Sequence, residues 1–172
     1  AGCYLITFGC ESFNEKILKL LKKGYPAEQN LKGLALTKKH GILTSSSFMV
    51  GLPGETKEDI MYTIETACKA ELDFALFPIF EPYKGTPVYD EWKVQGTWIK
   101  NEKYKNRLLL EQEEVWEPYT IKRDEIEKLS RLAFQKFYLR AAFLFKLKEN
   151  MLPLPKDRKK RMLAAAFDYF VL

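Results

Sequence analysis

Cysteine, histidine and long apolar runs are what this chain has least of. Its three cysteines, Cys3, Cys10 and Cys68, are an odd number at irregular spacing. No disulfide framework and no zinc site follows from them, and a reduced cytoplasmic setting is the expectation. Cys3 and Cys10 read as fillers of strand interiors. The single histidine, His40, sits beside Gly41 and reads as a solvated helix cap rather than a catalytic group. No apolar run approaches the roughly 18–20 residues that span a bilayer. The opening Ala1-Gly2-Cys3-Tyr4 lacks a basic leader and an initiator Met, so the chain is expected to be an interior piece of a longer protein. Repeats and low-complexity segments are missing too.

What is present excludes a disordered chain: 47% of the 172 residues are hydrophobic and 14% aromatic. That is enough for one domain with a core and a helical extension. The net charge of +5 is unevenly placed. Residues 1–99 carry 11 basic and 12 acidic side chains, and residues 100–172 carry 17 and 11. The basic second part has no RNA- or DNA-module signature, so nucleic acid is not an expected partner.

The pattern along residues 1–95 alternates strands with helices. Residues 4–8 read as a strand that runs into Gly9-Cys10-Glu11. Ser12-Phe13-Asn14-Glu15 reads as a capping box for a helix ending at Gly24. Pro26 can open a second helix that runs to about His40. Residues 42–50 form the next strand, and its Ser45-Ser46-Ser47 run suggests polar groups facing a site. It stops at Gly51-Leu52-Pro53-Gly54-Glu55, and Thr56-Lys57-Glu58-Asp59 resembles a second capping box. Asp73 to Phe80 reads as a third strand, with Pro78 implying an edge position or a bulge. A long turn over 81–87 and a short helix over 88–94 follow. From about residue 100 the strand signals fade. Trp116-Glu117-Pro118-Tyr119-Thr120 reads as a break, and residues 122–149 and 157–172 as helices. The order indicates parallel strands with crossover helices, whose carboxyl ends are where ligands bind. Three strands cannot close a barrel, so this part is an open sheet or a piece of a barrel.

The strand tips together resemble the second half of a radical S-adenosylmethionine (radical SAM) domain. The matching stretches are Phe8-Gly9-Cys10-Glu11-Ser12, Ile17-Leu18-Lys19 through Lys23-Gly24, Phe48-Met49-Val50-Gly51-Leu52-Pro53-Gly54-Glu55-Thr56, and Pro82-Tyr83-Lys84-Gly85-Thr86-Pro87-Val88-Tyr89. The surroundings of Trp116-Glu117-Pro118-Tyr119 and Phe137-Tyr138-Leu139-Arg140 are similar to the helical tail of the cobalamin-associated branch, which includes the anaerobic magnesium-protoporphyrin monomethyl ester cyclase.

The resemblance implies an α/β fold: a partial (β/α) TIM-type barrel with about three parallel strands over residues 1–95, then a helical extension over 96–172. It implies an iron–sulfur oxidoreductase that reductively cleaves S-adenosylmethionine to a 5′-deoxyadenosyl radical and abstracts hydrogen from an organic substrate. The family's CxxxCxxC loop, which holds the [4Fe–4S] cluster, does not occur here. The cluster would belong to a missing N-terminal half, cobalamin would be a further cofactor of the parent, and the fragment alone is expected to be inactive.

By the same resemblance Glu11 and Lys23 would face polar parts of S-adenosylmethionine, with Lys23 against its carboxylate, where the family often has Arg. Ser47 would meet the ribose hydroxyls. Val50, Gly51 and Leu52 would line the adenine through their backbone groups, and Phe77 and Ile79 would close the apolar side. Each has a plainer reading. Glu11 and Lys23 lie near helix ends whose dipoles favour their charges, Ser47 suits a satisfied strand serine, and Gly51 and Gly54 suit turns. Lys84-Gly85-Thr86 lacks the upstream glycine of a phosphate loop.

Residues 139–172 mix Phe143, Leu144, Phe145, Phe167, Tyr169 and Phe170 with Lys146, Lys148, Arg158, Lys159, Lys160 and Arg161. Such helices either pack on the barrel or lie on an anionic membrane. An open barrel half would also favour self-association through its bare strand edge. The rival to an enzyme is a non-catalytic α/β binding module whose basic tail docks a membrane or a partner.

Overall fold

The computed structural model describes residues 2–100, 114–140 and Phe143. Three parallel strands form one sheet in the order β1 (Leu5–Glu11), β2 (Leu43–Phe48), β3 (Phe74–Leu76). Helices α1 (Glu15–Leu20) and α2 (Ala27–Lys39) connect β1 to β2, and α3 (Lys57–Lys69) connects β2 to β3. This is the expected α/β architecture, a partial barrel with three parallel strands.

Leu5 pairs with Leu43 and Phe8 with Ser46, after which the register slips, so that Glu11 faces Phe48. One extra residue on β1 makes a bulge at its carboxyl end. On one sheet face Phe8, Ser46, Phe48 and Ala75 meet the helices, and Phe48 and Ala75 are fully buried. The opposite face carries Thr7, Ser45, Ser47 and Leu76, which are exposed or half-buried. Burial of the first face drives the fold, while the second stays open at the strand tips.

The helix starts follow local chemistry. Thr56 Oγ1 accepts from the Asp59 N–H while Asp59 accepts from the Thr56 N–H, the reciprocal cap read from the sequence. The box expected at Ser12 is corrected. Asn14 caps α1 by accepting from Lys16, because the Ser12 hydroxyl is drawn 2.8 Å from Thr63 Oγ1 on α3 and Glu15 accepts from Ala27.

Beyond β3 come α4 (Pro87–Trp92), a short 3-10 turn and an antiparallel pair, β4 (Gly96–Lys100) with β5 (Glu114–Pro118). These two strands overturn the expectation that strands end near residue 100 and that residues 116–120 only break the chain. Thr97-Trp98-Ile99 and Val115-Trp116 are β-favouring residues, and Trp98 and Trp116 pair across the ladder.

Helix α5 (Arg123–Tyr138) buries Ile126, Leu129, Ala133 and Phe137 in the main core. It also covers the outer edge of β3. Tyr138 Oη donates to the Ala75 carbonyl (2.8 Å) and accepts from the Ala75 N–H (3.1 Å), and Ser130 Oγ donates to the Phe77 carbonyl (2.7 Å). Side chains thus take the place of a neighbouring strand. No described helix is long and apolar enough to cross a membrane. The helix expected over 122–149 ends at Tyr138, and residues 144–172, which hold the rest of that expected helix, the expected helix over 157–172 and most of the basic aromatic tail, lie outside the described residues.

Candidate functional site at the strand tips

Three chain passages meet at the carboxyl end of the sheet: Gly9–Glu11 at the end of β1, Val50–Glu55 after β2 and Pro78–Phe80 after β3. The last two are tied together. Val50 N–H donates to the Pro78 carbonyl (2.9 Å), and Phe80 N–H donates to the Val50 carbonyl (2.8 Å). Pro78 has no N–H, so the regular ladder ends before it, in keeping with the edge position inferred for this strand.

The β1 bulge is built around Ser46. Its hydroxyl donates to the Phe8 carbonyl (2.9 Å) and accepts from Cys10 N–H (3.3 Å), filling the gap the slipped register leaves. The bulge turns Glu11 into the left-handed region (φ 61°). Few non-glycine residues adopt it, and such outliers cluster at ligand clamps. The Glu11 carboxylate lies 3.4 Å from the Lys23 ammonium, which also donates to the Gly9 carbonyl (2.9 Å). Gly9 lies beneath this pair, and a Cβ there would stand 3.0 Å from Glu11 Oε1 and press on the carboxylate. Both charged side chains are mostly covered, at 17% and 25% exposure, so each has one face toward solvent.

Ser47 lies on the open face next to this pair. Its hydroxyl has no hydrogen bond among the described residues, whereas Ser46 points the other way and is spent on the bulge. The sequence run of three serines contains both roles, and only the pleat separates them.

The loop after β2 is organised by a residue the sequence reasoning passed over. Glu55 is 1% exposed, and its Oε2 accepts from the Gly51 N–H (2.8 Å) and the Leu52 N–H (3.0 Å). Burial pushes its carboxyl up to about 7, against the two N–H bonds, which favour the ionised form. A carboxylate four residues after a strand-ending glycine was the available signal. With the Val50 bonds to Pro78 and Phe80, none of the three N–H groups of Val50, Gly51 and Leu52 is left to read an adenine edge. Their side chains are enclosed as well: Val50 lies in the main core, and Leu52 packs with Ile17, Phe80, Trp92 and Trp116. Gly51 has φ 85°, and an added Cβ would meet Ile126 of α5 at 2.8 Å. Phe77, stacked on Phe48 and edge-on to Phe137, is 2% exposed and offers no ligand surface. Ile79 is half-buried beside Val50. The structure pairs Glu11 with Lys23, sets Ser47 opposite the β1 bulge by register, and places Val50, Gly51, Leu52 and Phe77 in the framework.

Glu81 anchors the next passage. It pairs with Arg123, and its other oxygen accepts from the Trp116 N–H (2.9 Å), so β5 and α5 are fastened to the chain leaving β3. Burial raises the Glu81 carboxyl even beside the Arg123 guanidinium.

Parallel strands with crossover helices and a charged clamp at the first tip define a fragment of an α/β barrel whose ligand face is the carboxyl end of the sheet. The Radical SAM superfamily model matches residues 1–67, the part that carries β1, β2 and the clamp. The chain is similar to an uncharacterized methyltransferase of Pyrococcus horikoshii, 32% identical over 145 residues, which is 84% of this chain and 31% of the relative. It is similar to the anaerobic magnesium-protoporphyrin IX monomethyl ester cyclase of Rubrivivax gelatinosus, 26% identical over 94% of this chain and 27% of the relative. Among solved structures, the Elp3 protein of Methanocaldococcus infernus matches 54% of this chain and 22% of its own, at 27% identity and a TM-score of 0.50. The chain thus spans under a third of the length of these relatives. The matched superfamily's cofactors are S-adenosylmethionine and a [4Fe–4S] cluster.

The residues present fit one of these and not the other. A carboxylate and an ammonium on one open rim match the two charges of an amino acid end. Among the described residues no group of His, Cys, Asp or Glu could hold a metal ion: Cys3 is exposed, Cys10 buried and Cys68 half-buried, and they form no set.

Proposed function

We propose that the whole protein is a radical SAM enzyme acting on a small organic substrate, and that this chain forms one wall of its S-adenosylmethionine pocket. The observation that carries this reading is the Glu11–Lys23 clamp over Gly9, inside the family-matched residues. When bound, S-adenosylmethionine and its cluster would supply one-electron reductive cleavage of the sulfonium, which leads to hydrogen abstraction from the substrate. The cluster's ligands would come from a part of the protein outside this chain, which would leave the chain inactive alone. Cobalamin is a further cofactor in this reading, and methylase- or cyclase-like outcomes both suit the relatives.

This chain's residues bind and orient. Lys23 uses two of its three donors on Gly9 and Glu11, and the third is available to a carboxylate. Glu11, held by the bulge, accepts from an ammonium on its solvent side. Ser47 offers a donor and an acceptor to a ribose hydroxyl. Glu55 fixes the loop that closes the base of this rim, so the clamp sits on a rigid floor.

The test is equilibrium binding of S-adenosylmethionine to the whole protein carrying Glu11→Gln or Lys23→Met. Loss of one charge-assisted contact should weaken binding about tenfold. Unchanged affinity in both variants overturns the assignment.

A further inference from the structure

A cleft of about 710 Å³ lies between the turn after β3 and strand β4, lined by Pro82, Tyr83, Lys84, Tyr89, Trp98, Lys100 and Glu114. It shares no residue with Glu11, Lys23 or Ser47. Its volume is in the upper part of the range for small-molecule sites.

The walls are held from behind. Thr86 donates to the Tyr83 carbonyl through its hydroxyl (2.7 Å) and its N–H (3.2 Å), closing a tight turn that displays Tyr83 and Lys84. Trp98 is paired across the ladder with the fully buried Trp116, which packs edge-on against Phe80. Gly96 leaves room for that indole, since a Cβ there would stand 2.5 Å from it. On this fixed frame Tyr83 remains 51% exposed. Tyr89 and Trp98 stand 6.5 Å apart and tilted by 40°, a spacing that leaves their π-faces incompletely used by one another. Lys84 and Lys100 come from opposite walls, and neither is in an ion pair with a described residue. Lys93, ion-paired with Asp90, lies over the Tyr89 ring at 5.1 Å and fixes its orientation.

Three aromatic rings with ammonium groups on both walls, against the single Glu114 carboxylate opposite Lys100 in the ladder, select a flat, π-rich molecule that carries anionic groups. We propose that this cleft is a binding site for a planar polycyclic or macrocyclic acid, its ring system against Tyr83, Tyr89 and Trp98 and its acidic groups on Lys84 and Lys100. The anion could come as a ring-borne carboxylate or as the phosphate of a nucleotide base. This assignment does not depend on the radical SAM reading.

The whole protein is titrated with deuteroporphyrin IX, a flat dicarboxylate, and separately with adenosine 5′-monophosphate, following tryptophan fluorescence. Saturable quenching that weakens about tenfold in Lys84→Ala/Lys100→Ala, and whose amplitude falls in Trp98→Phe, is the expected result. Whichever probe shows it identifies the source of the anion. S-adenosylmethionine affinity is measured on the same proteins and should not change, so failure at the strand tips is seen separately. Absence of saturable binding for both probes, or binding equal in wild type and the lysine variant, overturns the proposal.

Discussion

The Lys23 ammonium lies 3.4 Å from Glu11 Oε1, joining the loop between α1 and α2 to the end of β1, and Glu11 reaches it from a left-handed backbone (φ 61°). Such a conformation costs a non-glycine residue about 1–2 kcal/mol. The partly exposed ion pair returns less, about 0–1 kcal/mol. Glu11→Gly is therefore expected to stabilise the fold by about 1 kcal/mol while weakening S-adenosylmethionine binding. Urea unfolding and ligand titration on the same variant check both halves; a destabilised Gly variant would show that the backbone here is unstrained.

Glu55 gives the fold a pH dependence of definite sign. Its folded pKa, about 7, is above the ordinary carboxyl value, so the folded state binds the extra proton. Its stabilising share is complete below the ordinary value and is lost as pH rises from there through about 7. The full span corresponds to about 3 kcal/mol. Glu55→Gln keeps an acceptor for Gly51 and Leu52 but cannot ionise. Denaturant midpoints at pH 5 and pH 7.5 should differ less in the variant than in the wild type. Equal pH slopes in the two proteins would remove Glu55 as the source.

Gly51 and Ile126 form a matched contact between the β2 tip and α5. Gly51→Ala places a methyl group 2.8 Å from Ile126 Cδ1 at φ 85°, and a loss of about 2–3 kcal/mol is expected. Ile126→Val in the same chain removes the Cδ1 clash, and leaves the Cγ2 contact at 3.0 Å and the backbone part. A double-mutant cycle by thermal unfolding should show positive coupling; strict additivity would mean the two do not touch in solution.

Tyr138 carries the edge of β3. Burial pushes its phenol up to about 12, so it stays a donor through the physiological range. Tyr138→Phe leaves the Ala75 N–H and carbonyl without their partner, at about 1–3 kcal/mol. Amide exchange at Ala75 should accelerate in the variant, and the bare edge should raise self-association at high concentration. Unaltered exchange would show that α5 does not guard this edge.

Local chemistry was legible where the sequence determined it alone. Glycine stops after apolar runs, the Thr56–Asp59 cap and the β–α alternation are short-range, and they sufficed for three parallel strands and their ligand-bearing ends. The family followed because those signals fall in a fixed order. Glu11 and Lys23, twelve residues apart, were also legible as charged groups at the first tip. What tertiary structure decided was partnership. Ser46 and Ser47 are equivalent as letters, but the pleat sends one into the bulge and the other to the open face. Gly51 and Leu52 read as donors for a ligand until Glu55 folds back onto them. Phe77 reads as pocket lining until Phe48 and Phe137 close over it. The pairing of β4 with β5 joins segments separated by thirteen residues, and no local period announces that. In each case the deciding quantity is which groups are already satisfied by other parts of the chain, and this is fixed by long-range packing rather than by neighbours in sequence.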